Sequence, residues 1–302
     1  MKILIAGGSG FIGTSLIRKL IASDHTVVSL TRQRGRIHPH HGLTVIHWDA
    51  RSSGEWTRLL DGCDAVVNLA GENIGGKRWS ESQKKKLVES RLKSTTAIVQ
   101  AIGQAKKKPS VLVSASAVGF YGDVPEGDVF EDRAAGTDFL ASLCAQWESE
   151  AMKARDSGVR VVAIRTGIVL EKSGGALQKM LVPFRLFAGG PLGSGRQWFP
   201  WIHFEDELRA IQFAIENSSL SGPVNLSAPN PVTMKDFCSA LGRALHRPSW
   251  APVPGFVLKI VVGEMAEPLL LGGQRALPKK LSLAGFQFKF DTVEAALGDI
   301  LK

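Results

Sequence analysis

The sequence lacks several features that whole classes of protein require. Its 302 residues include one tyrosine and three cysteines. Cys63, Cys144 and Cys238 are far apart and odd in number, which predicts neither a disulfide framework nor a metal site. No apolar run reaches the roughly 18 residues that a membrane span needs. Chemistry that requires two tyrosines is excluded, and chemistry that requires one must use Tyr121.

The charge balance favours anionic ligands. Lys and Arg number 37 against 28 Asp and Glu, a formal net charge of +9, which suits phosphates. The basic runs at Lys84–Lys86 and Lys106–Lys108 lie in or at the end of a predicted helix, with no interleaved aromatic residues. This arrangement favours a solvated face over a nucleic-acid patch. We therefore expect a soluble, cytoplasmic protein that binds no nucleic acid, membrane or metal and is a monomer or homodimer.

Apolar runs alternate with helical patterns along the chain. The predicted strands are Lys2–Ala6, Thr26–Leu30, Leu43–Trp48, Ala65–Ala70, Val111–Ser114, Arg160–Ile164 and Val224–Ser227. The predicted helices are Phe11–Ser23, Ser80–Ala105, Asp138–Ser157, Glu205–Glu216 and Met234–Leu245. Such continuous apolar strands between helices predict an α/β fold with a doubly wound parallel sheet. We assign it to residues 1–228, with part of 170–205 contributing to a substrate lobe, and a smaller C-terminal lobe to 229–302.

A glycine-rich turn follows the first predicted strand and opens a helix. Glycine permits the positive φ of a tight turn, and its missing Cβ lets a pyrophosphate approach the N–H groups of the helix start. The last glycine lets the helix pack closely on the strand. This unit predicts an NAD(P)-binding Rossmann fold. The residues expected at the cofactor are Gly7, Gly8, Ser9, Gly10, Phe11, Ile12 and Gly13.

The end of the second strand distinguishes the two nicotinamide dinucleotides. Sites for NAD usually carry Asp or Glu there, whereas this chain has Thr31-Arg32-Gln33-Arg34-Gly35-Arg36. An acid would repel a 2′-phosphate, and arginine binds one through charge-assisted hydrogen bonds. We predict NADP(H), with Thr31 and Arg32 at the phosphate. The alternative is that these arginines are solvated loop residues.

Further motifs give the chain a resemblance to a known family. They are Asn68-Leu69-Ala70-Gly71-Glu72-Asn73-Ile74, Ser90-Arg91, Phe120-Tyr121-Gly122-Asp123, Arg165-Thr166-Gly167-Ile168-Val169-Leu170, Trp201-Ile202-His203 and Gly272-Gly273-Gln274-Arg275-Ala276-Leu277-Pro278. With the glycine turn, they resemble extended short-chain dehydrogenase/reductases over essentially the whole chain. More narrowly, they resemble the epimerase-family subgroup described as nucleoside-diphosphate-sugar epimerase-like or cell-division-inhibitor-like, with its own C-terminal domain.

The resemblance implies further cofactor contacts. They come from Leu69, Ala70, Gly71, Glu72, Ser114, Ala115, Arg165 and Ile168. Arg91 stands where extended relatives carry an asparagine, and two roles stay open for it. It contacts the cofactor, or it pairs with Glu72 or a phosphate.

The resemblance also reveals a missing catalytic pair. The superfamily uses a serine, together with Tyr-x-x-x-Lys on the helix after strand five, where positions i and i+4 share a face. The lysine lowers the pKa of the tyrosine and makes it an acid/base group. Aligning on Trp147-Glu148 places Leu140 and Cys144 at these positions. The catalytic candidates are therefore Ser116, at the serine position, and Tyr121, which precedes the helix.

Two functions remain open from the sequence. The first is an oxidoreductase or sugar-nucleotide epimerase-like enzyme that binds NADP(H) and lacks the usual Tyr-x-x-x-Lys pair. The second is an NADP(H)-binding sensor or regulatory protein with little or no turnover. An enzyme should keep convergent polar groups beside the nicotinamide, whereas a sensor can fill that space with apolar side chains. Arg196, Trp201 and His203 are predicted to contact a small-molecule substrate that the sequence does not identify.

Overall fold

A computed structural model of the chain describes residues 1–33, 35 and 38–302. Its strands are β1 (Lys2–Ala6), β2 (Thr26–Thr31), β3 (Leu43–His47), β4 (Ala65–Asn68), β5 (Val111–Ala117), β6 (Val124–Val129), β7 (Arg160–Thr166), β8 (Ile168–Leu170), β9 (Trp198–Phe199), β10 (Trp201–His203), β11 (Gly222–Leu226), β12 (Val232–Thr233) and β13 (Gln274–Ala276). Its α-helices are α1 (Phe11–Ala22), α2 (Trp56–Leu60), α3 (Glu81–Gln104), α4 (Phe139–Met152), α5 (Gly175–Arg185), α6 (Phe204–Glu216), α7 (Met234–Leu245), α8 (Gly255–Val262), α9 (Lys279–Leu283) and α10 (Val293–Ile300). Among these described helices, none combines the length and the apolar character needed to cross a membrane.

One seven-stranded sheet organises the molecule. Its strand order is β11-β7-β5-β4-β1-β2-β3, and every neighbouring pair is parallel. The chain starts in the middle of the sheet, builds outward through β2 and β3, and then returns to the other side of β1 with β4. This order is that of a doubly wound Rossmann sheet, and the predicted α/β fold is confirmed.

The two faces of the sheet pack against different helices. On one face, Ile5 of β1 lies in a core with Leu16 of α1 and Ile211 of α6. On the other face, Leu4 lies in a second core with Ile98 of α3. Because both faces are covered, successive residues of the central strands are all buried. This double burial explains why those strands appear in the sequence as unbroken apolar runs.

Two strands extend by more than one residue beyond their predicted ends. β5 continues past Ser114 to Ala117, and β7 continues past Ile164 to Thr166. The added residues of the two strands pair with each other in parallel register. They are small or polar, so they do not prolong the apolar run by which the strands were recognised. This extension carries Ser116 and its neighbours to the carboxyl edge of the sheet.

A buried carboxylate anchors the C-terminal segment to α6. Asp206 is fully buried and accepts hydrogen bonds from the backbone N–H groups of Lys289, at 2.9 and 3.1 Å, and Phe290, at 2.9 Å. Further contacts join β13 to β6 and α10 to α7. The boundary between residues 228 and 229 stays a prediction.

The turn between β1 and α1 depends on glycine at two positions. Gly7 adopts a φ of +84°, in the left-handed region that favours glycine. At Gly13, a Cβ would stand 2.4 Å from the carbonyl oxygen of Gly7 and 2.8 Å from the Cα of Gly8. The backbone of α1 therefore packs directly on the turn, as the sequence motif predicts.

Gly13→Ala should lower the free energy of unfolding by about 1–3 kcal/mol, since the added methyl group meets backbone that cannot move aside. Gly298→Ala is the matched control, because that glycine lies in α10 with open space around its Cα. There, alanine should stabilise by about 0.5–1 kcal/mol through its better helix propensity. Denaturant unfolding of both variants measures the contrast, and equal stability of the two would contradict this account of the turn.

Candidate functional site

The candidate site lies where the loops after β1, β2, β4 and β5 meet at the carboxyl edge of the sheet. The direction of strand order reverses between β1 and β4. Ligands of doubly wound sheets bind in the crevice that this reversal creates. The loops after β1 and β4 touch there. A Cβ on Gly7 would stand 2.8 Å from the carbonyl carbon and oxygen of Leu69 and 2.9 Å from the backbone nitrogen of Ala70. The predicted cofactor residues after β1 and after β4 therefore share one crevice.

The start of α1 is arranged to hold an anion. Gly10 is its N-cap and, among the described residues, no side chain caps this end. The turn is closed by a hydrogen bond from the N–H of Gly10 to the carbonyl of Gly7 at 3.0 Å. The N–H groups of the first helical turn therefore remain available, and the helix dipole favours negative charge there.

The end of β2 brings two predicted cofactor residues into contact. The Thr31 hydroxyl donates a hydrogen bond to the hydroxyl of Ser9 at 2.7 Å, which links β2 to the glycine turn. The side chain of Arg32 follows and is 55% exposed. Arg34 and Arg36, which belong to the same arginine-rich motif, lie outside the described residues.

Arg32 has an acidic neighbour from a different loop. Glu72 follows β4, and its carboxylate oxygen lies 3.6 Å from a guanidinium nitrogen of Arg32. The strand-two loop has no acid of its own, but a neighbouring loop supplies one. Glu72 therefore competes with any anion that approaches Arg32.

The loop after β4 is held by α3. The side-chain amide of Asn68 donates to the hydroxyl of Thr95 at 2.9 Å, and its oxygen accepts the N–H of Ala70 at 3.2 Å. The N–H of Glu72 donates to the hydroxyl of Ser90 at 3.1 Å. The motif at 68–74 and the Ser90-Arg91 motif, distant in sequence, therefore form one unit.

Arg91 lies against this loop, half-buried. Its Nη1 donates to the carbonyl of Leu87 at 3.1 Å, and its guanidinium lies 5.0 Å from the centre of the Trp147 ring. Burial lowers the pKa of this guanidinium, opposed by interactions with Cys144 and Glu72. The Glu72 carboxylate forms an ion pair with Arg32 and acts on Arg91 through its charge, and both roles left open by the sequence stay predictions.

The two positions of the missing catalytic pair are apolar. Leu140 and Cys144 lie one turn apart on α4, and both are buried. Leu140 belongs to a cluster with Trp79, Leu87 and Met265, against which Ile74, Val262 and Leu269 also pack. Burial raises the pKa of the Cys144 thiol to about 11. We call this cluster, with Leu140 at its centre, the apolar wall.

A buried polar network forms around Glu148, which lies on α4 with Leu140 and Cys144. The Ser116 hydroxyl donates to a carboxylate oxygen of Glu148 at 2.6 Å. Arg165 forms a bidentate pair with the same carboxylate, with both contacts at 2.8 Å. Arg165 also donates to the Tyr121 hydroxyl at 2.9 Å, and that hydroxyl donates to the side-chain oxygen of Asn225 at 2.6 Å. Desolvation raises the pKa of Tyr121 to about 12.

This network includes two residues with predicted roles, Arg165 and Tyr121. Arg165 is buried, and its remaining contacts are the carbonyl of Glu131 at 3.1 Å and the ring of Phe120. Its donors face protein acceptors, and its contact with a cofactor stays a prediction. Tyr121 is 2% exposed and holds two partners, and its acid/base role also stays a prediction. Ser116 remains at the sheet edge, with its proton directed to Glu148.

Two of the three predicted substrate contacts, Trp201 and His203, are buried. Trp201 is fully buried in the core formed with α7 and α10, and its indole N–H donates to the carbonyl of Asn230 at 3.1 Å. His203 is the N-cap of α6: its Nδ1 accepts the N–H of Glu205 at 3.0 Å, and its ring packs on Phe290. Contact of a substrate with these two residues stays a prediction. Arg196 is exposed and also stays a prediction, as do Ser114 and Ala115 within β5 and Ile168 at the start of β8.

One buried acid was not recognised from the sequence. Glu207 is fully buried on α6, where the hydroxyl of Thr166 donates to its Oε1 at 2.9 Å. Its Oε2 has no hydrogen-bond partner among the described residues. Desolvation raises its pKa to about 8. In sequence, Glu207 is one of three acids in the first turn of a helix, a pattern that indicates only a favourable interaction with the helix dipole.

Two family descriptions match separate parts of the chain. The model of the NAD dependent epimerase/dehydratase family matches residues 3–226. A domain of unknown function, DUF1731, matches residues 253–300. The first match includes the glycine turn, the loop after β4 and the whole main sheet.

Similar proteins align along nearly the full length. Epimerase family protein Mb2239 of Mycobacterium bovis is 44% identical, over 98% of this chain and 96% of that protein. Epimerase family protein YfhF of Bacillus subtilis is 40% identical, over 100% of this chain and 98% of that protein. Among solved structures, human epimerase family protein SDR39U1 (isoform2) with NADPH superposes with a TM-score of 0.89 and 36% identity, over 100% of this chain and 99% of that chain.

Glu207 should make stability depend on pH. Its pKa of about 8 lies above the ordinary value of 4.5, so the folded state holds the proton more tightly than the unfolded state. The contribution is complete at acid pH and is lost as pH rises toward about 8, by up to about 1.4 kcal/mol per pH unit. Denaturant unfolding at about pH 5 and about pH 8 should therefore show Glu207→Gln gaining about 3 kcal/mol on the parent protein. A pH-independent difference between the two proteins would contradict the assignment.

Proposed function

Because the chain belongs to the NAD dependent epimerase/dehydratase family, we propose that it binds NADP(H) in the crevice at the carboxyl edge of the sheet. The pyrophosphate lies on the first turn of α1, and the adenosine 2′-phosphate lies at Thr31 and Arg32. The observation that carries the proposal is the Ser9–Thr31 hydrogen bond, which fixes the end of β2 on the glycine turn and leaves Arg32 exposed beside it. The NADPH of the human relative's structure supports the same cofactor class.

For the reaction, the apolar wall favours binding without the usual Tyr-x-x-x-Lys catalysis. Leu140 and Cys144 provide no acid/base group near neutral pH, and Tyr121 is committed to Arg165 and Asn225. Our first proposal is therefore an NADP(H)-binding protein with a sensing or regulatory role and little turnover of sugar nucleotides. A sugar ring needs hydrogen-bonding groups at the reacting carbon, and the wall supplies apolar side chains instead.

An oxidoreductase is the second candidate, favoured by a specific feature of the same wall. Trp79, Leu140 and Met265 would suit a substrate that is apolar near its reacting carbon. Hydride transfer itself needs the nicotinamide beside that carbon, and the protein supplies position and environment. A missing proton donor slows such a reaction, since positioned acid/base catalysis typically contributes about 10²–10⁴-fold.

Binding and turnover measurements separate these functions. NADPH fluorescence should change on titration with the protein, while nucleotide-sugars should cause neither NADPH oxidation nor epimerisation. Oxidation of NADPH by apolar aldehydes or ketones would establish the second candidate instead of the first. Epimerisation of a nucleotide-sugar would contradict both, and failure to bind NADPH would overturn the proposed cofactor.

The Arg32 side chain should set the preference for NADPH over NADH. Arg32→Gln removes the charge opposite the 2′-phosphate and should weaken NADPH binding about 10-fold while leaving NADH unchanged. Glu72→Gln should have the opposite effect, because it removes the carboxylate that competes for Arg32. Isothermal titration of both cofactors measures the two constants.

Arg58→Gln is the control for these two variants, since Arg58 is an exposed arginine on α2. It should change neither constant. An Arg32→Gln protein with the parent preference for NADPH would place the phosphate elsewhere.

A further inference from the structure

We propose that Arg91 binds the ribose hydroxyls at the nicotinamide end of the cofactor. This cation comes from α3 and lies beside Cys144 of α4, which stands at the position of the missing lysine. This inference rests on the proposed function, because it requires NADP(H) in the crevice. It assigns to Arg91 a positioning role for the reactive end of the cofactor, distinct from that of Arg32 at the other end.

The location of Arg91 follows from the strand order. β2, with Thr31 and Arg32 at its end, lies on one side of β1, while β4 and β5 lie on the other. A dinucleotide whose adenosine end is at β2 and whose pyrophosphate is at α1 must extend its nicotinamide end toward β4 and β5. Arg91 lies on that side, against the loop after β4.

The contact with this loop is close. A Cβ on Gly71 would stand 3.4 Å from the guanidinium carbon of Arg91 and 3.6 Å from its Nε. The absence of a side chain at Gly71 therefore leaves the guanidinium at the edge of the crevice. Gly71 itself follows Leu69 and Ala70, which contact the glycine turn through Gly7.

The same guanidinium lies next to the position of the missing lysine. It packs over the ring of Trp147, which is three residues after Cys144 on α4. Its charge also acts on the Cys144 thiol, where it opposes the desolvation that raises the pKa of that group. A cation is thus present beside Cys144, although it comes from a different helix.

Arg91 also differs from the other buried arginines in its partners. Arg165 has a bidentate carboxylate, and Arg160 donates to three backbone carbonyls, at 3.0, 2.8 and 3.0 Å. For Arg91, the described residues supply one hydrogen-bond acceptor, the carbonyl of Leu87, together with the face of Trp147. A guanidinium has five donors, so the described residues leave most of them free for a ligand. Ribose hydroxyls offer neutral acceptors, which suit a cation already packed on an aromatic face.

The test compares two ligands that differ only at the end Arg91 should contact. NADPH carries the distal ribose, whereas adenosine 2′-phosphate 5′-diphosphate has both bridging phosphates and lacks it. Arg91→Gln should weaken NADPH binding by about 10- to 100-fold, as expected for charge-assisted hydrogen bonds, and change binding of the fragment less than about twofold. Arg91→Lys, which keeps the charge, should lose less. Lys85→Gln, on the exposed face of α3, is the matched control and should leave both constants unchanged.

A second arm tests the relation to Cys144. Cys144→Lys in the Arg91→Gln background should restore part of the NADPH affinity, because it returns a cation to the same region from α4. In the parent background, the same substitution should weaken NADPH binding, because two cations then compete for one place. Thermal unfolding without ligand establishes that each variant is folded. If Arg91→Gln is not folded, the binding of the two ligands is compared between Arg91→Lys and the parent protein instead.

The outcomes separate this inference from the proposed function. Unchanged NADPH affinity in Arg91→Gln overturns the inference, and so does an equal loss for both ligands, which would assign Arg91 to the pyrophosphate. A parent protein that binds neither ligand refutes the proposed function itself. Loss confined to NADPH, with rescue by Cys144→Lys, is the result we expect.

Discussion

The buried ion pair between Arg165 and Glu148 is the interaction on which the architecture of the site depends. It joins the end of β7 to α4 and gathers Ser116, Tyr121 and Asn225 around it. Removing one partner of such a pair leaves an uncompensated buried charge and typically costs about 3–5 kcal/mol. The residues around it are therefore fixed by electrostatics, and their hydroxyls are directed inward. The hydroxyls of Ser116 and Tyr121 are both hydrogen-bonded within this network.

That constraint explains where sequence reasoning succeeded and where it did not. The sheet and the glycine turn were predictable because they depend on local patterns, namely apolar runs and the position of Gly13 relative to Gly7. The hydrogen-bond partners of Tyr121 and Arg165 were not predictable, since they lie in β11 and α4. Motif resemblance assigned Arg165 to the cofactor and left Tyr121 as a catalytic candidate. It did not indicate that the two side chains hydrogen-bond to each other.

The missing Tyr-x-x-x-Lys pair acquires a physical meaning from the apolar wall. Leu140 has a packing role, since it packs against Met265 and Leu269 from the C-terminal segment and against Trp79 from the loop before α3. These three segments are far apart in sequence, so no pattern could reveal their meeting. A tyrosine at 140 would place a phenol among apolar side chains. The C-terminal segment and the substitution at 140 are therefore parts of one arrangement.

The positive charges near the crevice come from separate elements of the fold. In the proposed complex, positive charge at the adenosine end comes from Arg32, beside Glu72, and positive charge at the other end comes from Arg91 on α3. Binding a dinucleotide needs cations at these places but does not dictate which helix provides them. Acid/base catalysis is more demanding, because the phenol and ammonium must share one face of α4 at fixed spacing. Cofactor binding and proton transfer thus place different demands on the chain, and under the proposed function this chain meets the first with Leu140 and Cys144 at the positions that the resemblance assigns to the second.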